Sequence, residues 1–315
     1  MSRKKDQDEL SHIYGPVPSR RLGFSLGIDI IPFKTCSFNC IYCQLGRTPR
    51  KTIKRKEYIP SSEILTQIKK VLNSGQRIDY ITFSGSGEPT LNLKIGQLIR
   101  EIKKMTEIPV AVLTNSSLLT HKSVRQDLIA ADLVVPSLDA ASQKIFSYVN
   151  RPYPSLKIEK IIESLKLFRH QFNGSIWLEV MLVKGINDSK DHLNKLKQAI
   201  KIIDPNKIQL NTVIRPPAEK FAAALSLMEM EKIKNDIGEP CEIIANFNKK
   251  EQKPPVEHLE EAILAMIKRR PLTLDDISIS LGKHRNEIIK YLNWLLEEGK
   301  VKVINHQGLK YYETQ

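Results

Sequence analysis

Short apolar runs rich in β-branched residues alternate along this chain with amphipathic stretches of helical period, the pattern of a parallel α/β fold. The runs SLGIDII (25–31), YITFSG (80–85), VAVLTN (110–115), LVVPSL (133–138), IWLEVMLV (176–183) and KIQLNTV (207–213) predict strands, and CEIIANF (241–247) predicts one more. The clearest helix lies between the first two runs. Ile64, Leu65, Ile68, Val71 and Leu72 form one stripe there, ended by Gly75. Further helices are predicted near 92–105, 122–130, 155–171, 189–203 and 226–237. Six strand–helix units fit an incomplete (β/α)6 barrel better than a closed eightfold one.

NKKEQKPPVE (248–257) is polar, carries two prolines and reads as a linker. It divides a barrel with an N-terminal strap, residues 1–247, from a small domain at 258–315. In that domain Leu259, Ile263, Met266 and Ile267 share one side of a first helix. Thr273 with Asp276 resembles a capping box for a second, and a third buries Ile288, Leu292 and Leu295. KVKVINHQGLKYY then reads as a two-stranded ribbon. Three helices and a ribbon outline a winged helix.

Composition adds two points. No apolar run approaches the ~18 residues of a membrane span, and MSRKKDQDELSHIYG has charge without an apolar stretch behind it, unlike a secretory signal. A cytoplasmic, reducing location is therefore expected, with no membrane partner. The net charge is +14, from 49 Lys and Arg against 35 Asp and Glu. From Val256 onward nine basic residues face nine acidic ones, so the whole excess lies before that point. An anionic partner would meet the larger part.

Cysteine usage is concentrated. TCSFNCIYCQLG (35–46) holds Cys36, Cys40 and Cys43, three of the four cysteines in the chain. Three thiols are one short of a closed zinc site and one too many for a single disulfide. An iron–sulfur cube has four iron corners, so three thiolates leave the last iron open to a substrate or cofactor. The alternatives are zinc completed by His12 or Cys241, and buried cysteines used as small hydrophobes.

This segment resembles the signature of the radical S-adenosylmethionine (SAM) superfamily, C-x-x-x-C-x-aromatic-C, with Tyr42 in the aromatic place. The resemblance runs over about residues 14–247 and implies the partial barrel. SGSGEPTLN (84–92) is similar to the Gly-Glu-Pro element, which implies cofactor contacts at Gly85, Gly87, Glu88 and Pro89, with Glu88 on the methionyl ammonium. LTNSSLL (113–119) resembles the segment near the ribose and carboxylate and brings in Asn115 and Ser117. PSLDA (136–140), VMLVKGIND (180–188) and QLNTV (209–213) match later strand ends and bring in Ser137, Asp139 and Val213. The resemblance implies a [4Fe–4S] cluster on Cys36, Cys40 and Cys43, S-adenosylmethionine as the second cofactor, and an electron donor such as flavodoxin or ferredoxin. It also implies reductive cleavage of S-adenosylmethionine to a 5′-deoxyadenosyl radical that abstracts hydrogen from a substrate. Taken as residues alone, GSGEP is a tight strand-to-helix turn in which Gly85 and Gly87 let the backbone approach a ligand. Asn115 would cap a turn, Asp139 would start a helix at Ala141, and Lys184 would be a solvated strand end.

Among subfamilies, SLDA and LVKGIND most resemble the iron–sulfur oxidoreductases related to the wyosine-type tRNA guanine-ring synthases. Two departures stand against transferring that activity. Those proteins carry a second cysteine triplet ahead of the signature, where this chain has no cysteine, and they lack the winged helix. The oxidoreductase or transferase substrate stays open, with tRNA or another anionic molecule in view. In YGPVPSRRLGFSLGID (14–29), Gly15, Pro16 and Pro18 make a rigid loop into the first strand. Ser19, Arg20 and Arg21 there either meet an anion or strap the barrel bottom. GRTPRKTIKRKEY (46–58) carries Arg47, Arg50, Lys51, Lys54, Arg55 and Lys56, either a phosphate-contacting rim or a solvated face. Lys283, His284, Arg285 and Lys290 would dock nucleic acid at the third helix of the small domain. The neutral charge of that domain argues against duplex DNA and for a protein-contact or substrate-delivery module. The competing function is a redox-sensing regulator that binds nucleic acid through the winged helix. GSGEP and LTNSS favour the enzyme, because a sensor needs no S-adenosylmethionine pocket.

Overall fold

The computed structural model describes residues 12–245, 257–306 and 309–315, so all of the expected linker except Glu257 lies outside the described residues. Eight strands form one sheet in chain order: β1 (Ile13–Ser19), β2 (Gly23–Ile28), β3 (Tyr80–Phe83), β4 (Val110–Thr114), β5 (Leu133–Pro136), β6 (Ser175–Leu182), β7 (Lys207–Thr212) and β8 (Cys241–Ile243). β2 through β8 are parallel and β1 is antiparallel to β2. The connecting helices are α1 (Ser61–Leu72), α2 (Ile95–Met105), α3 (Lys122–Leu128), α4 (Gln143–Val149), α5 (Ile158–Gln171), α6 (Lys190–Ile203) and α7 (Leu227–Ile237). No helix among the described residues is long and apolar enough to cross a membrane.

β6 shows how the sequence chooses its faces. Ile176, Leu178, Val180 and Leu182 are buried in the main core with Ile161, Leu165 and Phe168 of α5 and Leu196 and Ile200 of α6. Trp177, Glu179 and Met181 take the opposite face, as a period of two requires. On that inner face Trp177 packs with Leu22, Ala111, Leu133 and Val135 as an apolar plug. Beside it lies a polar layer. Arg21 donates to Glu179 Oε2 at 2.8 Å and to Gln209 Oε1 at 3.0 Å, and Asn211 Nδ2 reaches Glu179 Oε1 at 2.9 Å. Burial alone would raise the Glu179 carboxyl, but the Arg21 guanidinium and its other donors hold it below the usual carboxylate range. Arg20 spans the opening of the sheet to Ile244 O at 3.4 Å and Asn211 Oδ1 at 3.5 Å. Both arginines therefore brace the barrel.

Two elements differ from the sequence expectation. Residues 13–19 form a strand rather than a loop; Gly15, Pro16 and Pro18 interrupt the alternation that marks strands, and the register shift between Tyr14 and Val17 absorbs the irregularity. α4 escapes the periodicity because it has only seven residues. Asp139 does not begin it: Ser142 precedes the first turn. The expected strands also overrun the observed ones at their C-terminal ends, since Ser84, Asn115, Ser137, Val183 and Val213 already lie in loops. Those overruns form the barrel mouth.

The C-terminal unit contains α8 (Glu257–Arg269), β9 (Leu272–Thr273), α9 (Leu274–Leu281), α10 (Arg285–Glu297), β10 (Val301–His306) and β11 (Leu309–Thr314). Its sheet has the order β10-β11-β9, with β9 as a third strand that the sequence did not suggest. Leu259, Ile263, Ile267, Ile277, Ile288, Leu292, Leu295 and Tyr312 form a separate core. Thr273 and Asp276 make both halves of a capping box.

Candidate functional site

Because β2 to β8 are parallel, the loops that follow them open on one side, where a barrel carries its chemistry. The cysteine loop follows β2. Between its thiols it inserts Phe38, edge-on to Phe146 of α4 at 5.3 Å, and Ile41, packed with Val149, Val183 and Ala222. Backbone bonds from Asn39 N to Asn150 O (3.0 Å) and from Ile41 N to Val149 O (2.9 Å) tie the loop to the end of α4. This anchoring leaves Cys36, Cys40 and Cys43 half-buried. Each sulfur has a donor: Asn115 Nδ2 and Phe38 N on Cys36 (3.4 and 3.5 Å), Asn150 Nδ2 on Cys40 (3.5 Å), and Lys34 Nζ on Cys43 (3.2 Å). Burial, followed by the Glu88 carboxylate, pushes the Cys36 thiol up to about 12, and burial, followed by Asp139, raises Cys40. Such thiols stay protonated until a metal supplies compensating charge.

Among the described residues, no three His, Cys, Asp or Glu side chains converge closely enough for a single metal ion. His12 is engaged with Glu63 at 3.1 Å, and Cys241 lies in β8 in the main core. A mononuclear zinc site completed by either is therefore not formed there. A cluster that takes each thiolate on a different iron makes no such demand for convergence.

The GSGEP segment packs directly under this loop. A Cβ on Gly87 would stand 1.9 Å from Thr35 O, and one on Gly85 (φ +150°) would stand 2.4 Å from the Asp29 carboxyl carbon. The glycines thus admit the protein's own cysteine loop and Asp29. Glu88 N donates to Thr35 O (3.0 Å), and Pro89 opens a buried 3-10 turn, Pro89–Leu91. The Glu88 side chain is buried and accepts four hydrogen bonds. Thr90 N (3.1 Å), Thr90 Oγ1 (2.5 Å) and Thr114 Oγ1 (2.7 Å) reach Oε1, and Asn115 N reaches Oε2 (2.7 Å). Burial nonetheless leaves its pKa raised. The open acceptor capacity is on Oε2.

Asn115 joins the layers. Its Nδ2 also donates to Ser37 Oγ at 2.9 Å, and its Oδ1 accepts from Ser117 N at 3.0 Å. Ser117 Oγ meets Ser37 Oγ at 2.7 Å, and Ser137 O accepts from Ser116 Oγ at 2.7 Å. Asp139 is buried between three donors: the Tyr42 hydroxyl and Asn150 Nδ2 (2.6 Å) on Oδ2, and Met181 N (2.9 Å) on Oδ1. Val213 packs against the cluster of Ile41, Val149, Val183 and Ala222, as Tyr42 and Met181 do. All thirteen sequence-selected positions therefore lie in the loops or turns that follow β2, β3, β4, β5 and β7. Several act first as struts for the cysteine loop. Lys34, Ser37, Asn150 and Glu219 were not singled out. Lys34 and Ser37 flank the first cysteine, but nothing in the sequence marks Asn150 or Glu219.

The basic run does not form a free rim. Arg47 binds Glu219 through two bonds (3.0 and 2.8 Å), Lys51 reaches the carbonyls of Arg151 and Pro152 (2.9 and 2.8 Å), and Arg55 reaches Thr90 O and Asp127 (2.8 and 2.6 Å). Arg50, Lys54 and Lys56 remain exposed.

The Asp139 carboxyl is pushed from its ordinary 3.8 up to about 6, by burial first, with Tyr42, Asn150 and Met181 pulling back. Between those values the folded chain keeps a proton that the unfolded chain has released. The group's favourable contribution is thus complete below pH 3.8 and is lost as the pH rises through about 6. The stability advantage of the cluster-free protein over Asp139→Asn should shrink across this window, measured by urea unfolding. An advantage that grows with pH would show that the site is built for the carboxylate.

The C-terminal unit seats on the same mouth. His284 Nδ1 accepts from Asn286 N (3.1 Å), which leaves Nε2 to donate to Asp29 Oδ2 at 3.1 Å. The His284 ring stacks on Tyr14 at 4.7 Å, Arg285 lies 4.5 Å over Phe33, and Lys310 Nζ donates to Pro216 O at 2.8 Å.

A parallel α/β barrel with three cysteines on its first mouth loop defines a class: the chain belongs to the radical SAM superfamily, which matches over residues 30–196. A [4Fe–4S] cluster and S-adenosylmethionine are the cofactors of that family. The UPF0026 protein of Methanocaldococcus jannaschii is 35% identical over 306 residues, covering 95% of this chain and 94% of that one. A protein named GTPase Obg from Brachyspira hyodysenteriae is 40% identical over 304 residues; the match covers 96% of this chain but only 45% of that relative. Streptococcus suis SuiB, solved with S-adenosylmethionine, shares the fold at 14% identity and a TM-score of 0.53, over 70% of this chain and 50% of that one.

Proposed function

We propose that this chain is a radical SAM enzyme acting on an anionic substrate, with Cys36, Cys40 and Cys43 as the cluster ligands. A [4Fe–4S] cluster held by these three thiolates would supply the electron for reductive cleavage of S-adenosylmethionine, the source of a hydrogen-abstracting radical. The observation that carries this reading is the placement of three donor-supported, half-buried thiols on one mouth loop that Asn115 ties to Glu88. Glu88 Oε2 offers an acceptor to the methionyl ammonium, and Asn115 holds the Cys36 sulfur and the Glu88 carboxylate in one frame. Asp139 orients Tyr42 beside Cys43. The substrate charge is inferred from the net +14 and from exposed Arg50, Lys54 and Lys56 near the cysteine loop.

The C-terminal unit is, in this reading, a winged helix that covers the mouth. His284 and Arg285, at the start of α10, face Asp29 and Phe33 of the barrel, and Lys283 pairs with Glu287 at 3.6 Å. The helix start that a duplex-binding winged helix would present is engaged within the chain. This favours the enzyme over the DNA-binding regulator. Anaerobic reconstitution followed by dithionite and S-adenosylmethionine should yield 5′-deoxyadenosine and methionine, followed by chromatography. A four-iron protein that leaves S-adenosylmethionine intact would overturn the enzyme reading.

A further inference from the structure

The cluster loop is not finished by the barrel alone. Lys34 is buried, with a positive φ of 58°, and its Nζ donates to Cys43 Sγ at 3.2 Å. The segment after β7 closes over the same corner: Arg215 Nη1 binds Gln44 Oε1 at 3.0 Å, next to Cys43. Pro216, the next residue, accepts from Lys310 Nζ at 2.8 Å, and Lys310 belongs to β11 of the C-terminal unit. Burial lowers the Lys310 ammonium to about 8, with Cys43 pulling it back up and Lys34 lowering it further. Two ammonium groups, one from each part of the chain, thus share one corner of the site. Burial and a like charge both push an ammonium towards its neutral form, so an anion at this corner would be what holds both cations charged.

We propose that Lys310 is a positioning residue for the cofactor: together with Lys34 it sets a cationic pair beside the Cys43 corner and favours the reduced cluster. The inference rests on the reading of the three cysteines as cluster ligands. One-electron reduction, by dithionite or a low-potential donor protein, adds one negative charge to the cluster and removes none from the protein. A nearby fixed cation stabilises the product more than the reactant. The C-terminal unit would then set the cluster's readiness for reduction, and seating it would complete the site.

The test is a redox titration of the reconstituted full-length protein, followed by the electron paramagnetic resonance signal of the reduced cluster. Lys310→Gln keeps an N–H donor for Pro216 O and drops the charge; its midpoint potential should move to a more negative value. Lys310→Arg should stay close to wild type, and Lys34→Met should move in the same direction as Lys310→Gln. Lys302→Met removes an exposed cation paired with Glu313 on the same ribbon and should leave the potential unchanged. A Lys310→Gln midpoint equal to wild type would overturn the proposal and leave Lys310 as a docking contact. An equal shift in Lys302→Met would overturn it too, by showing a general charge effect. Wild-type protein that holds no cluster would instead refute the assignment of the cysteines.

Discussion

Cys36→Ala, Cys40→Ala and Cys43→Ala should each abolish retention of a four-iron cluster, whereas Cys241→Ala should leave iron and sulfide content at the wild-type level. Each of the three thiols would hold a different iron, so none can substitute for another. The nearby carboxylates are already engaged, Glu88 with Thr90, Thr114 and Asn115 and Asp139 with Tyr42, Asn150 and Met181. Cys241 is buried in the core at β8, and its loss costs packing alone, on the order of 1 kcal/mol. Iron and sulfide assays after anaerobic reconstitution decide this. Stoichiometric zinc in protein purified anaerobically would contradict the assignment, as would a cluster surviving in any of the three variants.

Glu88→Gln should keep the cluster and lose about 10-fold to 100-fold of substrate-free S-adenosylmethionine cleavage, the loss of one charge-assisted hydrogen bond of about 1.5–3 kcal/mol. Glu88→Ala should do more harm. It leaves the N–H groups of Thr90 and Asn115 without their buried acceptor, at about 1–3 kcal/mol each. It also releases Asn115, which donates to the Cys36 sulfur, so slower cluster reconstitution should accompany a lower unfolding temperature. The alanine variant alone cannot separate structure from chemistry; in the glutamine variant the amide oxygen can still accept from Thr90 and Thr114 while the amide NH2 meets the Asn115 N–H, so iron content and unfolding temperature are read beside cleavage. Equal cleavage by wild type and Glu88→Gln would make Glu88 a structural pin only.

The glycines of GSGEP show what sequence reasoning misses. Their type signals close approach, but the approaching group is the carbonyl of Thr35 and the carboxylate of Asp29, both from another loop. The basic run at 47–56 teaches the same point. Its charges are visible in sequence, but three of the six are consumed by Glu219, Asp127 and backbone carbonyls brought near by folding. Arg20 and Arg21, open to two readings in sequence, prove to be braces because Glu179 and Asn211 face inward on β6 and β7.

By itself the sequence determined the strand–helix alternation, the thiol spacing and the order of the polar segments along the chain. These depend on local periodicity and on residues only a few positions apart, which the sequence states directly. The tertiary structure alone decided that 13–19 is a strand, that Asn150 supports Cys40, and that the C-terminal unit brings His284 to Asp29 and Lys310 to Pro216. Those pairings join residues 94 to 255 positions apart, or, at 13–19, depend on pairing with β2 despite interrupted alternation. Local pattern carries no information about contacts that exist only once the loops after parallel strands have been gathered at one mouth.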